Sequence, residues 1–128
     1  DTALAAEAAN THIAAGADML TGSAQQVVGA IGVAKSKGAK WFGTQSDQSS
    51  LAPEAVVATQ VFDWTGVVKD MIALHQQGTM GGKAYTLTLA NQGLKMVFNA
   101  SSPAPDDIKK AAEQAIKDIA DGKVKPLP

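Results

Sequence analysis

Cysteine is absent from this 128-residue chain, and so is arginine: all eleven basic residues are lysines. Without cysteine there are no disulfides, no thiol nucleophile and no thiolate metal site. A cysteine-free chain suits either redox environment, so compartment is left open. Without arginine the chain lacks the planar forks that nucleic-acid readers use for guanine and phosphate. Its lysines are spread out and the formal net charge is only -1. These features argue against a nucleic-acid partner. Long apolar runs are missing too, none approaching the roughly 20 residues that span a bilayer. What is present is an ordinary globular balance, 45% hydrophobic and 18% charged, which excludes disorder and fits one domain. The chain opens on Asp1, without an initiator methionine, and its first residues already have helical composition. It is therefore expected to be a processed or truncated piece.

The pattern of elements alternates. Thr2 to Ala15 is alanine-rich and predicts a helix with a stripe of Leu4, Ala8, Ala9 and Ile13, stopped at Gly16. Ala17 to Thr21 reads as a buried strand. Ser23 is a plausible N-cap for a second helix whose inward face is Val27, Ala30, Ile31 and Ala34. Lys40 to Thr44 and Ala55 to Val61 predict two more strands, joined through the polar loop 45–50. A third helix over about 65–77 is expected to bury Val67, Val68, Met71 and Leu74, ending at Gly78. Tyr85 to Leu89 alternates as a strand does, and Asn91-Gln92-Gly93 then predicts a hairpin with a strand over Leu94 to Phe98. Pro105-Asp106-Asp107 opens a last helix with Ile108, Ala112, Ala115 and Ile119 on one face. The fold class is α/β: a parallel sheet flanked by helices, with a C-terminal hairpin and helix.

In such sheets ligands bind beyond the C-terminal strand ends. Thr21, Gly22 and Ser23, then Gln45, Ser46, Asp47 and Gln48, then Phe62, Asp63 and Trp64 fall there. Catalysis finds little support among them. Ser23 and Ser46 lack a base, because His12 and His75 lie within helices, and the Gly-x-Ser-x-Gly elbow is absent. No two of His, Asp and Glu recur at metal-ligand spacing. Gly29 and Gly32 lie inside the second helix, where they permit close helix packing rather than cradle a dinucleotide. Phe62, Asp63 and Trp64 would give a planar heterocycle or sugar two flat faces and an orienting acceptor. The alternative is that one ring is core and Asp63 caps the third helix. For Ser23 the alternatives are an anion or polar ligand atom at a helix N-terminus, or simple capping. For Asp47 they are a ligand contact, or fixing its own turn. No catalytic residue, metal ligand or cofactor is expected.

Six segments in order resemble the basic membrane protein family, bacterial substrate-binding lipoproteins of ABC importers related to purine nucleoside receptors. They are Gly16-Ala17-Asp18-Met19-Leu20, Lys35-Ser36-Lys37-Gly38-Ala39-Lys40, Gly43-Thr44-Gln45-Ser46-Asp47-Gln48, Leu51-Ala52-Pro53, Phe62-Asp63-Trp64 and the closing stretch from Ile119 to Pro128. The resemblance implies a lobe of the type I periplasmic-binding-protein fold. Residues 1–128 would be most of the C-terminal lobe of a two-lobed protein, with segments in about 65–128 packing on a missing N-terminal lobe. It implies a non-catalytic receptor, periplasmic or lipid-anchored at the outer face of the cell membrane. Such a receptor traps a small nucleobase- or nucleoside-like ligand and delivers it to an ABC permease. Thr21, Gly22, Ser23, Gln45, Asp47, Phe62, Asp63 and Trp64 are its expected ligand-binding residues. Two positions depart from the nucleoside-binding pattern: Gln45 stands for an aspartate and Phe62 for a lysine, both of which hold ribose. The alternative use of the same fold is a sensor domain of a transcriptional regulator or signalling receptor.

Overall fold

The computed structural model describes residues 1–102 and 104–126, so Leu127 and Pro128 of the closing family motif lie outside the described residues. The elements are α1 (Thr2–Ala14), β1 (Met19–Thr21), α2 (Val27–Lys37), β2 (Lys40–Gln45), β3 (Val56–Phe62), α3 (Thr65–Gln76), β4 (Leu94–Phe98) and α4 (Asp106–Ala120). The chain forms two compact units: unit 1 is Asp1–Val61 with Met96–Pro105, and unit 2 is Phe62–Lys95 with Asp106–Pro128.

The strand order is β1-β2-β3-β4. β1 and β2 are parallel, with Met19 opposite Lys40 and Thr21 opposite Phe42. β2 and β3 are also parallel, reaching Gln45 opposite Val61 after a one-residue shift between Trp41 and Phe42. Two backbone bonds fix the direction of β4. Asn99 donates to the Val57 carbonyl at 2.9 Å and Asp63 to the Gly93 carbonyl at 2.8 Å. Partner numbers fall on one strand as they rise on the other, so β4 runs antiparallel to β3.

The core lies in unit 1, where α2 supplies the face its spacing predicts: Val27, Ala30, Ile31 and Ala34 are all buried. Trp41, Ala52, Ala55 and Val56 meet them from the sheet side. α2 ends on Gly38 in the left-handed region, with Lys35 and Lys37 in its last turn. α1 begins on the Asp1 carboxylate, which accepts from the Ala3 and Leu4 amides. Its inward row differs from the expected stripe. Ala9 is buried and Ala5 packs on the core, while Leu4 stays exposed, because α1 meets α2 through small side chains that let the two backbones approach. A Cβ on Gly29 would stand 2.2 Å from the Thr2 carbonyl oxygen, whereas one on Gly32 meets nothing within 4 Å. Only Gly29 therefore has the packing role expected of both.

Four further expectations are corrected. β1 is a three-residue edge strand with Met19 exposed, not a buried one. α2 starts at Val27 behind Gln26, which makes no side-chain cap bond, so Ser23 is not its N-cap. Tyr85 to Leu89 is not a strand. Asn91 accepts from the Thr88 and Gly93 amides and donates to the Thr86 carbonyl, occupying groups that a ladder would need. Leu94 still donates to the Thr88 carbonyl at 3.0 Å, and Gln92 to the Leu89 carbonyl at 3.3 Å across the turn. Finally, α3 buries none of its residues: Val67 and Leu74 are half-buried, Val68 and Met71 exposed.

Gly29→Ala should destabilise the fold, because a backbone carbonyl cannot yield to the new methyl. Gly32→Ala should be neutral or stabilising by up to about 1 kcal/mol from helix propensity. Urea unfolding of the two variants checks the contrast.

Candidate functional site

The C-terminal ends of β1 and β2 are stitched together by side chains. Thr21 Oγ1 donates to the Phe42 carbonyl at 2.8 Å, and Thr44 Oγ1 to the Gly22 carbonyl at 2.8 Å. Gln45 Nε2 donates to Ser23 Oγ at 3.1 Å. Thr21, Gly22, Ser23 and Gln45 are thus brought together, with Thr44 as a partner the sequence did not single out. Gly22 has a packing reason as well, since an added Cβ would lie 2.9 Å from Val27 Cγ1 and 3.1 Å from the Trp41 ring. Having accepted from Gln45, the Ser23 hydroxyl retains a proton to donate, and Gln45 Oε1 remains an acceptor.

Gln45 has φ 76, a left-handed conformation uncommon outside glycine and asparagine. That turn sends the chain into the loop before β3, which a buried network holds. Trp41 Nε1 donates to Gln48 Oε1 at 2.8 Å, and Gln48 Nε2 donates to the Thr44 carbonyl at 3.1 Å. The Gln48 amide points at Thr59 Oγ1, 3.4 Å away. Gln48, grouped with the strand-end loop by sequence, is therefore a core residue. Gly43 makes room for it: a Cβ there would fall 2.6 Å from Thr59 Oγ1 and 2.7 Å from Gln48 Oε1. Asp47 behaves as a turn residue. Its Oδ1 accepts from the Ser49 amide at 2.9 Å and from Ser49 Oγ at 2.6 Å. Those bonds, the hydroxyl first, hold its carboxyl below the usual range. Its second oxygen has no hydrogen-bond partner among these contacts.

Unit 2 opens with Phe62, Asp63 and Trp64. Phe62 is half-buried, and Trp64 is 52% exposed at the start of α3. Both Asp63 oxygens are engaged. Oδ1 accepts from the Thr65 amide at 3.0 Å, and Oδ2 pairs with Lys95 Nζ at 2.7 Å. The Lys95 ammonium first, and the Thr65 groups next, hold the Asp63 carboxyl well below the ordinary carboxylate range. Lys95, on β4, is a partner the sequence missed, because a lysine 32 residues away in an alternating strand carries no local signal.

A cavity of about 360 Å³ lies within unit 2, lined by Asp63, Thr65, Val67, Tyr85, Leu87 and Gln92 among others. A second, about 550 Å³ and mainly apolar, runs along α3 past Val68, Met71, Ile72, His75 and Met80. Tyr85 belongs to both; its hydroxyl donates to Asp70, which also pairs with Lys83 at 2.7 Å. Among the described residues, no group of three His, Cys, Asp or Glu side chains could hold a metal. No helix there is long and apolar enough to cross a membrane.

In sheets of this mostly parallel α/β kind ligands bind beyond the C-terminal strand ends, and solved structures share the fold. An ABC transporter solute-binding protein from Conexibacter woesei DSM 14684 superposes with a TM-score of 0.69 at 20% identity, over 96% of this chain and 41% of that one. A transcriptional activator of the comK gene from Bacillus halodurans gives 0.78 at 15% identity, over 94% and 43%. Sequence assigns the family: residues 1–125 match the PnrA-like ABC transporter substrate-binding proteins, and the chain belongs to that family. It is 30% identical over 122 residues to a purine-binding protein of Brucella abortus (strain 2308), covering 95% of this chain and 34% of that protein. The chain thus spans about a third of the length of that curated relative.

The Asp63–Lys95 pair makes a pH-dependent contribution of definite sign. A depressed carboxyl stabilises the fold above the ordinary Asp range and loses that contribution as pH falls through it. Lys95→Met should move the Asp63 titration up toward that range and flatten this part of the acid-stability profile, as carboxyl-carbon NMR and unfolding between pH 2 and about 6 would show.

Proposed function

We propose that the protein of which this chain is part is the extracytoplasmic solute-binding component of an ABC importer, without catalytic activity, and delivers its ligand to a membrane permease. The observation that carries this is the family match over residues 1–125. The C. woesei protein supports it by fold, and the B. abortus relative, purine-binding by name, supports a purine-like ligand. The B. halodurans activator shows that the fold also occurs in regulators, but at 15% identity it carries fold alone.

In this reading residues 1–128 belong to the C-terminal lobe, and segments within about 65–128 pack on an N-terminal lobe of the same protein. Every buried hydrophobic side chain among the described residues is in unit 1. Unit 2 instead exposes Val68, Met71 and Ile72 on α3 and Ile108 on α4, apolar surface that further protein would cover. The same proposal takes Thr21, Gly22, Ser23, Gln45, Asp47, Phe62, Asp63 and Trp64 as ligand-contacting residues. Attachment to the membrane through a lipid is part of the same proposal.

The ligand class follows from the polar groups. Ribose hydroxyls in a dry cleft need strong partners, since each unmatched one costs about 1–3 kcal/mol. Gln45 lacks the charge that strengthens a carboxylate's bonds, and Phe62 offers no hydrogen bond. The Asp63 carboxylate is already paired with Lys95. A flat, largely uncharged nucleobase suits these groups better than its ribonucleoside. A thermal-shift comparison of purine bases with matched nucleosides, on the full-length protein, should show larger stabilisation by bases. The reverse order would overturn the ligand assignment.

Trp64, half exposed and outside the core, is the residue available for stacking. Trp64→Ala should leave unfolding nearly unchanged and weaken ligand binding by about 1–3 kcal/mol. A variant that unfolds without ligand would make Trp64 structural.

A further inference from the structure

Three side chains with soft or borderline donor atoms converge on the apolar groove of unit 2. His75 Nδ1 lies 3.2 Å from Met80 Sδ. Met71 sits one helical turn before His75, hence on the same face of α3, and all three line the same cavity. Met80 is 79% exposed and Met71 55% exposed in this chain, so both thioethers are open to an ion. We propose that His75, Met80 and Met71 form a binding site for a soft monovalent metal ion, Cu(I) or Ag(I).

The donor set selects the ion. Thioethers are neutral, polarisable ligands that favour Cu(I), and imidazole nitrogen binds the same metal. Divalent hard cations need oxygen ligands, and the nearby carboxylate, Asp70, is held by Lys83 and Tyr85. Distance agrees with chelation. With bonds of roughly 2.0 Å to nitrogen and 2.3 Å to sulfur, donors 3.2 Å apart subtend roughly a right angle at the ion. Opening the pair by about half an ångström gives the trigonal angle, leaving the third position to Met71 on the preceding turn. The His75 tautomer protonated at Nε2 presents the Nδ1 lone pair to the metal. Val68, Ile72 and Leu74 line the same groove and give the donors an apolar surround. The site is separate from the strand-end residues assigned to solute, so this inference stands whether or not the solute reading does.

The simpler account of the 3.2 Å contact is an N–H···S hydrogen bond, and experiment separates the two. Ag(I), which needs no reductant, is titrated calorimetrically into the full-length protein in chloride-free buffer. The ε-methyl NMR signals of the methionines are followed in parallel. One equivalent should bind, shifting Met71 and Met80 but not Met19 or Met96. His75→Asn, Met80→Leu and Met71→Leu should each weaken binding by roughly tenfold or more. Met19→Leu and His12→Asn should leave it unchanged. Anaerobic competition for Cu(I) against bicinchoninate should rank the variants in the same order. Absence of stoichiometric Ag(I) binding, or equal losses in the groove and control variants, would overturn the proposal. All five side chains are exposed, so folding does not obscure the result.

Discussion

A buried indole N–H must find an acceptor, because leaving one unpaired costs about 1–3 kcal/mol. Trp41 is almost wholly buried at the centre of the unit 1 core, and Gln48 is the residue that answers it. Much of the local chain path follows from that one bond. Gln48 comes from the loop after β2, so the loop must double back over the strand it has just left. Gln45 makes the reversal by entering the left-handed region, a cost of order 1–3 kcal/mol. Gly43 leaves space for the returning Gln48 side-chain amide, and Thr59 Oγ1 on β3 accepts from the Gln48 backbone N–H. The strained Gln45 is also the residue whose side chain reaches Ser23. The packing of Trp41 therefore fixes where the polar edge of unit 1 sits.

Helix α2 was readable because its face is set by a single period. Val27, Ala30, Ile31 and Ala34 are all buried, as their spacing of three and four residues requires. Its start was not readable. Ser23 has the right residue type before an apolar run, but its hydroxyl is taken by Gln45 from another strand, a partner with no trace in the local pattern. The segment Tyr85 to Leu89 failed for a related reason. Alternation records which face a side chain could take, but a strand also requires free backbone groups. Asn91 had already claimed those of Thr86 and Thr88. In both cases a side-chain-to-backbone or side-chain-to-side-chain bond displaced the regular element that propensity favours.

The candidate site was legible as a set of positions and much less as a set of roles. Strand ends can be found by counting, which brings out Thr21, Gln45 and Phe62. Whether a polar group there is free or engaged depends on partners from distant segments. Asp63 both receives the Thr65 amide, as helix capping anticipates, and holds Lys95 from β4, as nothing local anticipates. The proposed metal site marks a different blind spot: scanning for His, Asp and Glu at ligand spacing passes over thioethers, so Met71 reads only as apolar stripe and Met80 is not singled out.

The distribution of burial bears on how ligand recognition is divided. Unit 1 has a packed core behind its polar edge, so Thr21, Ser23 and Gln45 are held by cross-strand bonds on a rigid base. The recognition proposed for that side would act through neutral donors and acceptors whose geometry is fixed in advance, which limits the ordering cost on binding. Asp47 adds the one carboxylate, with one oxygen committed to Ser49. Unit 2 has no such core, and its aromatic contribution, Trp64, stands at the start of a helix that buries nothing. Stacking on Trp64 can reach full strength only when something else excludes water from the far side of the ring. On the proposed reading, stacking on Trp64 gains from whatever covers the ring, while the polar groups of unit 1 are already fixed by their own cross-strand bonds.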